Sequence, residues 1–160
     1  MPRFSSSSLR EVRFVECSIS SFDPLPLQNL YKLELEWSGV SSLAALGHIP
    51  ILIIRNSSRK HTLEGLGKPT QKHVILDHLY EVTGFQALQY VKRVEIINCN
   101  KFYSLSDLKY CEEIVIEDCS NFTHLSIDLS SNCRSIRIIN CPGFMSTENL
   151  RHVPNLELRG

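Results

Sequence analysis

The sequence lacks both a net charge and a long hydrophobic run. Lysine plus arginine and aspartate plus glutamate number 17 each in 160 residues. Without a net positive field to attract phosphates, no nucleic-acid partner is expected. The densest apolar run, residues 49–54, has only the length of a β-strand, so no membrane-spanning segment is predicted.

The N-terminus lacks the apolar core of a secretory signal. Residues 1–8 are interpreted as a serine-rich tail, and the arginines around it are weakly typical of an organelle import leader. The repeated pattern described below already begins at Leu9, which favours a cytoplasmic, reducing location over organelle import. The acceptor triplets at Asn56 and Asn121 are accordingly interpreted as accidental rather than glycosylated.

Signatures of catalysis are also missing. The sequence contains no P-loop, no glycine-rich dinucleotide turn and no nucleophile elbow. It has no Cys-x-x-Cys pair to hold zinc, so neither a metal nor a cofactor is predicted. His73, Asp77 and His78 cluster near one predicted strand, where an enzyme would use them for proton transfer or metal binding. The favoured alternative is that these three side chains are solvated surface, and no catalytic residue is predicted.

What the sequence does have is a regular spacing of apolar pairs. In each pair, two apolar residues stand on either side of one other residue. The pairs begin at positions 12, 33, 52, 74, 94, 114, 136 and 156, so successive starts differ by 21, 19, 22, 20, 20, 22 and 20 residues. An apolar residue usually lies three positions before each pair, with Gln71 as the exception. Such alternation predicts a short strand that turns its apolar pair toward a core. Four of the pairs are followed three residues later by a cysteine: Cys17, Cys99, Cys119 and Cys141.

This pattern resembles the leucine-rich repeat, Leu-x-x-Leu-x-Leu-x-x-Asn/Cys-x-Leu, over residues 9–158. The cysteine form is similar to the repeats of F-box substrate receptors, and the irregular turns are similar to those of plant intracellular immune receptors. The resemblance implies an α/β solenoid of about eight turns of 19–22 residues. It implies a parallel concave β-sheet and short 3₁₀, helical or irregular convex returns. The sequence has no F-box and no nucleotide-binding motif, so those activities are not implied.

The expected domain organisation is a tail over 1–8 and one repeat domain over 9–160. Neither end carries the polar cap that a solenoid needs, so both ends are expected to be uncapped and either continued in a longer chain or covered by partners. The cysteines are expected in the core as small hydrophobic residues. Successive turns would bring ladder cysteines within about 4.8 Å of one another, which leaves a disulfide between Cys99 and Cys119 as an alternative.

The concave face of the predicted sheet is the candidate binding surface. Strand residues between and after each apolar pair would point there. Contiguous exposed apolar side chains usually mark an interaction surface, although a sheet rich in β-formers is the alternative. Trp37 is either an aromatic anchor or packs on the first turn. The predicted apolar band comprises Ile53, Ile75, Ile97, Val115 and Ile139, and the bordering charges include Glu95, Glu117 and Arg137. Polar residues just past the strands are expected to bond the backbone there, namely Asn56, His78, Asn98, Asp118 and Asn140.

These features together predict a non-enzymatic protein-interaction module, an adaptor or scaffold subunit of a larger assembly. One or more proteins would bind the concave face and the open ends. A second hypothesis is the substrate- or ligand-recognition part of a receptor, such as a ubiquitin-ligase substrate receptor or an immune sensor. A third is an enzyme that uses His73, Asp77 and His78.

Overall fold

The fold was determined as a computed structural model. It describes residues 9–20, 22, 27–40, 42–57, 60–123, 129–145, 147 and 150–160. The predicted tail, residues 1–8, lies outside the described residues.

Eight strands of five residues each dominate the chain. Their first residues are 11, 32, 51, 73, 93, 113, 135 and 155, so each strand begins one residue before the apolar pair identified in the sequence. Valine, isoleucine and leucine at alternating positions favour a pleated strand with one covered face. The strands are β1 (Glu11–Val15), β3 (Lys32–Glu36), β5 (Ile51–Arg55), β7 (His73–Asp77), β9 (Arg93–Ile97), β10 (Glu113–Glu117), β11 (Ser135–Ile139) and β12 (Asn155–Arg159).

All eight strands form one parallel sheet in chain order, β1-β3-β5-β7-β9-β10-β11-β12. The register places equivalent positions of successive turns beside one another, as in the row Leu33, Leu52 and Val74. Parallel neighbours require a crossover of a dozen or more residues, and the 19–22-residue spacing of the sequence supplies it. The prediction of a long parallel sheet with short connections is confirmed at this level.

The connections contain little regular structure. Among the described residues, 3₁₀ helices occur in them at Leu27–Asn29, Ala44–Leu46, Phe85–Leu88 and Leu105–Leu108, and no longer helix is found there. Two short two-stranded sheets join neighbouring connections: β2 (Ser18–Ile19) with β4 (Gly39–Val40), and β6 (His61–Thr62) with β8 (Val82–Thr83). The connections pack closely, since a Cβ added to Gly67 would lie 1.8 Å from the Ala87 carbonyl oxygen.

The core lies between the sheet and the connections. The second and fourth residues of each central strand are buried, whereas Leu156 and Leu158 of β12 are 36% and 42% exposed. On the connection side, Phe85 meets Phe102 edge to face at a centroid separation of 5.0 Å, and Phe102 stacks on Phe122 at 5.5 Å. Each turn therefore buries its apolar residues against its neighbours, as expected of a repeated structure.

The one polar residue in the leading apolar column, Gln71, is also buried. Its side-chain oxygen accepts a hydrogen bond from the Gly67 backbone N–H at 2.7 Å, and its amide nitrogen donates to the Leu46 carbonyl at 3.3 Å. Buried backbone groups need such partners. Gln71 therefore supplies hydrogen bonds to the irregular connection before β7, where the other turns have an apolar side chain.

A column of left-handed residues ends seven of the eight strands. The residue directly after the strand has a φ of about 50° in each case: Glu16, Trp37, Asn56, His78, Asn98, Asp118 and Asn140. Asparagine, aspartate and histidine are the non-glycine residues enriched in this conformation. The structure gives these positions a role in backbone conformation, which lets each backbone N–H bond the next strand, as from Asn98 to the Glu117 carbonyl at 2.8 Å. The expected side-chain bonds to the backbone stay a prediction.

Candidate functional site

The face of the sheet turned away from the core, called the open face below, carries three columns of side chains. The third and fifth strand positions were predicted to lie there, and the first position, which the sequence analysis missed, joins them. The same alternation extended one residue upstream would have revealed it. The added column is Glu11, Lys32, Ile51, His73, Arg93, Glu113, Ser135 and Asn155.

Four of the five predicted aliphatic residues are partly exposed on the open face: Ile75, Ile97, Val115 and Ile139. They alternate between the third and fifth strand positions, so they form a zigzag across four adjacent strands. Successive members are about 8 Å apart, from a strand separation of about 4.8 Å and an offset of two residues at a rise of about 3.3 Å each. We call these four residues the apolar band.

Ile53 differs from the expectation. It lies on the open face in register with Glu34 and Ile75, but it is only 7% exposed. Its exposure was inferred from alternation alone, and alternation determines the face of a residue but not how far neighbouring side chains cover it. Ile53 therefore adds little surface to the apolar band.

Most of the charges that border the band are paired. Glu95 accepts hydrogen bonds from His73 at 2.8 Å and from Arg93 at 2.9 Å. The bond from His73 is the main cause that lowers the pKa of the Glu95 carboxyl. Arg137 donates to Glu157 at 2.6 Å. These predicted border residues thus present ion pairs rather than single charges.

Glu117 is the exception among the predicted border residues. In the strand register, Glu117 lies between Ile97 and Ile139 on the two neighbouring strands. No ion pair of its carboxylate is found within the described residues. Asp118 follows it and is exposed. The strand-end side of the apolar band therefore has uncompensated negative charge.

The N-terminal part of the open face is different, because it is covered by charges. Arg13 pairs with both Glu34 and Glu36, and Arg55 pairs with Glu34 and Asp77. Ion pairs that are open to solvent stabilise a fold by only about 0–1 kcal/mol each. Their consequence here is a mainly polar surface over the first strands, in which Val15 of β1 is an isolated aliphatic residue that is 44% exposed.

Trp37 stands at the strand-end edge of this polar region. The residue is 60% exposed, so it does not pack into the first turn as the alternative interpretation required. Its φ of 50° is unfavourable for an aromatic residue. Two strands, or about 10 Å, separate its strand from β7 and the apolar band.

A shallow cavity of about 420 Å³ adjoins the band on the strand-start side. Val115 lies in it, and Arg93, Glu113 and Arg137 contribute its polar lining. The lining thus combines charged side chains with apolar ones, Ile114, Val115 and Leu156 among them.

The structure separates the residues of the hypothetical enzyme site. His78 Nδ1 lies 2.5 Å from Asp77 Oδ1, whereas His73 contacts Glu95 instead. His73 begins strand β7 and Asp77 ends it, which places their Cα atoms about 13 Å apart. Within the ranges that the structure describes, no group of side chains capable of holding a metal ion is found.

The cysteines form part of the core, with Cys17 of the first turn only half-buried. All six are free thiols, so the alternative of a Cys99–Cys119 disulfide is not present. Burial raises the pKa of Cys99, Cys111 and Cys119 to about 12 each. The Cys99 and Cys119 S–H groups lie 3.3 and 3.4 Å from backbone carbonyls within their own turns. A protonated, buried thiol is neither a nucleophile nor a metal ligand.

Compared with models of known protein families and with curated protein sequences, the chain gives no match to either. In the part of the chain that the structure describes, no helix has the length and apolar character needed to cross a membrane.

Proposed function

We propose that the chain is a solenoid of the leucine-rich-repeat type whose open face binds another protein, as an adaptor or scaffold subunit of an assembly. The observation that carries the proposal is the apolar band, which crosses four neighbouring strands of the open face. Parallel sheets are usually covered on both faces. Where no helices cover the second face, that face meets water and is expected to be polar. Exposed branched aliphatic residues on such a face point to a partner.

The charges around the band favour a particular partner chemistry. Ile97 is flanked in its row by Asp77 and Glu117, and the carboxylate of Glu117 is not neutralised by the described residues. A partner segment with aliphatic or aromatic side chains and an adjacent lysine or arginine would match this surface. Buried apolar anchors would supply most of the affinity, and the charges would supply orientation.

The backbone conformation of Trp37 is a second, independent argument for the same proposal. A left-handed conformation costs an ordinary L-residue about 1–2 kcal/mol, and most other turns use asparagine or aspartate at this position. At 60% exposed, Trp37 leaves most of its apolar surface open to water in the isolated chain. Tryptophan is also the residue most enriched among binding hot spots, so we assign Trp37 to the same interface as the apolar band.

The test is a double substitution, Ile75→Glu with Ile97→Glu, in a pull-down followed by identification of the bound proteins. Because both side chains point away from the core, the variant should keep its urea midpoint and lose the partner. Tyr103→Glu is the control, since Tyr103 is 50% exposed and lies in the connection between β9 and β10 rather than on the open face. A partner that the double variant and the control retain equally would reject the open face as the binding site.

A further inference from the structure

Two exposed tyrosines stack on the edge of the sheet where the strands begin. Tyr90 and Tyr110 are 60% and 39% exposed, and their rings are parallel within 2° at a centroid separation of 4.9 Å. The Tyr110 N–H donates to the Gln89 carbonyl at 3.1 Å, which ties the two turns together. The pair therefore forms a rigid aromatic surface outside the core and away from the apolar band.

Basic side chains surround this pair. Lys72, Lys92 and Arg134 directly precede strands β7, β9 and β11, and Lys109 Nζ lies 5.4 Å from the Tyr110 ring centroid. The strand register places Lys72 and Lys92 in one row, with neighbouring positions about 4.8 Å apart. We call the two tyrosines and these four basic residues the tyrosine–lysine rim.

The rim has a local excess of positive charge. The row of residues that precedes the strands also contains one acid, Glu112, which pairs with Lys92 at 3.3 Å. The four basic side chains and this acid together have a net charge of +3. No ion pair of Lys72, Lys109 or Arg134 is found in the described portion of the chain. The chain as a whole is neutral, and the strand-end side of the apolar band is acidic. The two edges of the sheet thus differ in sign.

We propose that the tyrosine–lysine rim is a second docking site, and that it binds an acidic segment of a protein. Lysine and arginine side chains would pair with its carboxylates, and the tyrosine hydroxyls would donate hydrogen bonds to them. Tyrosine and arginine are enriched at protein interfaces, where a rigid ring contributes contact area at little entropic cost.

The same geometry disfavours single-stranded nucleic acid. A base stacks on a free aromatic face, and because Tyr90 and Tyr110 cover one face of each other, the pair offers only its outer faces for stacking. Glu112 also interrupts the row of cations that a phosphate backbone would follow. An acidic peptide needs neither intercalation nor an unbroken cationic track.

The test measures binding of a fluorescein-labelled peptide of alternating glutamate and alanine by fluorescence anisotropy at low salt. The same peptide with glutamine in place of glutamate, and a labelled oligothymidylate of equal length, are the comparison probes. We expect the glutamate peptide to bind saturably and most tightly, with an affinity that falls as salt is added, because screening weakens exposed charge pairs.

Two sets of variants locate the site. Lys72→Glu with Arg134→Glu should weaken binding of the glutamate peptide at least about tenfold, since charge complementarity is reversed at two positions. Lys60→Glu with Lys101→Glu changes the net charge equally at other sites and should have little effect. Tyr90→Ala should weaken binding several-fold, whereas Tyr103→Ala removes a 50% exposed tyrosine outside the rim and should not.

Three results would overturn the proposal: no saturable binding of the glutamate peptide, equal losses in the rim variants and their controls, or tighter binding of the oligothymidylate. The last would assign the rim to nucleic acid. Urea unfolding of each variant separates lost binding from lost folding. The rim stands apart from the apolar band, so the Ile75→Glu, Ile97→Glu variant should bind the glutamate peptide as wild type does, whatever becomes of the proposed interface there.

Discussion

The buried thiols make the stability of the fold sensitive to alkaline pH. Burial raises the pKa of the Cys119 thiol from 9.0 to about 12, with Cys99 and Cys111 raised similarly. The unfolded chain loses these protons near pH 9, and the folded chain keeps them until about pH 12. Their contribution to stability is therefore complete below pH 9 and declines as the pH rises toward 12. Between pH 8 and 10 the free energy of unfolding should fall by about 1.4 kcal/mol per thiol.

The assay compares wild type with Cys119→Ala by urea unfolding at pH 8 and pH 10, in a reductant that is not itself a thiol. At pH 8 the substitution should cost about 1–2 kcal/mol, because it removes a buried sulfur and leaves a small void. At pH 10 the cost should shrink by about 1.4 kcal/mol, since the variant has no thiol at this position to ionise on unfolding.

Tyrosine and lysine titrate in both proteins, so they cancel from this difference. Val94→Ala is the control, because it removes buried apolar volume from a side chain that does not titrate, and its cost should be the same at both pH values. A cost of Cys119→Ala that does not change with pH would show that the thiol ionises as readily in the folded chain as in the unfolded one. The place of the cysteines in the core would then be wrong.

Four further substitutions test other parts of the fold by urea unfolding. Gly67→Ala should cost about 3 kcal/mol or more, since it adds a Cβ 1.8 Å from a carbonyl oxygen at a φ of +72°. Gly84→Ala, at φ +85° with its nearest contact at 3.2 Å, should cost only about 1–2 kcal/mol, and equal costs would contradict the close packing of the connections. Gln71→Leu should cost about 2 kcal/mol, because the Gly67 N–H and the Leu46 carbonyl lose their partner, and a stabilised variant would refute that role. Trp37→Asn should raise the stability by about 1 kcal/mol, and an unchanged or lower midpoint would mean that the tryptophan contributes to folding.

The parallel sheet could be predicted because its signal is repeated. A single pair such as Val94 and Ile96 is compatible with a strand or with part of a buried helix. Eight pairs at intervals of 19–22 residues require that each turn place its pair in the same environment, and stacked strands satisfy this requirement. The same repetition predicts that the cysteines lie in the core.

The surface was harder to predict, because exposure depends on neighbours in other turns. Ile53 and Ile75 occupy equivalent positions, yet only Ile75 is partly exposed. The tyrosine–lysine rim was missed for a related reason. Tyr90 and Tyr110 precede the apolar column, and the positions equivalent to them in other turns hold unrelated residues, so no period marks them.

The irregular connections were beyond a sequence-based prediction for another reason. Gln71 breaks the leading column, and only the structure shows that it satisfies backbone groups of the connection before β7. A polar residue at an apolar position has many explanations in a sequence, and the geometry of the surrounding backbone distinguishes them.

The left-handed column shows how a structural constraint can help to locate function. Every turn from Asn56 to Asn140 places asparagine, aspartate or histidine after its strand, as the backbone conformation there requires. Glu16 and Trp37 depart from this rule in the two turns nearest the N-terminus, although the φ values there are the same. Because the backbone demand is constant along the column, packing of the isolated chain does not account for a 60% exposed tryptophan at one of its positions. The departure is explained if Trp37 contributes to binding, and the apolar band about 14 Å away supplies the surface that a common partner would cover.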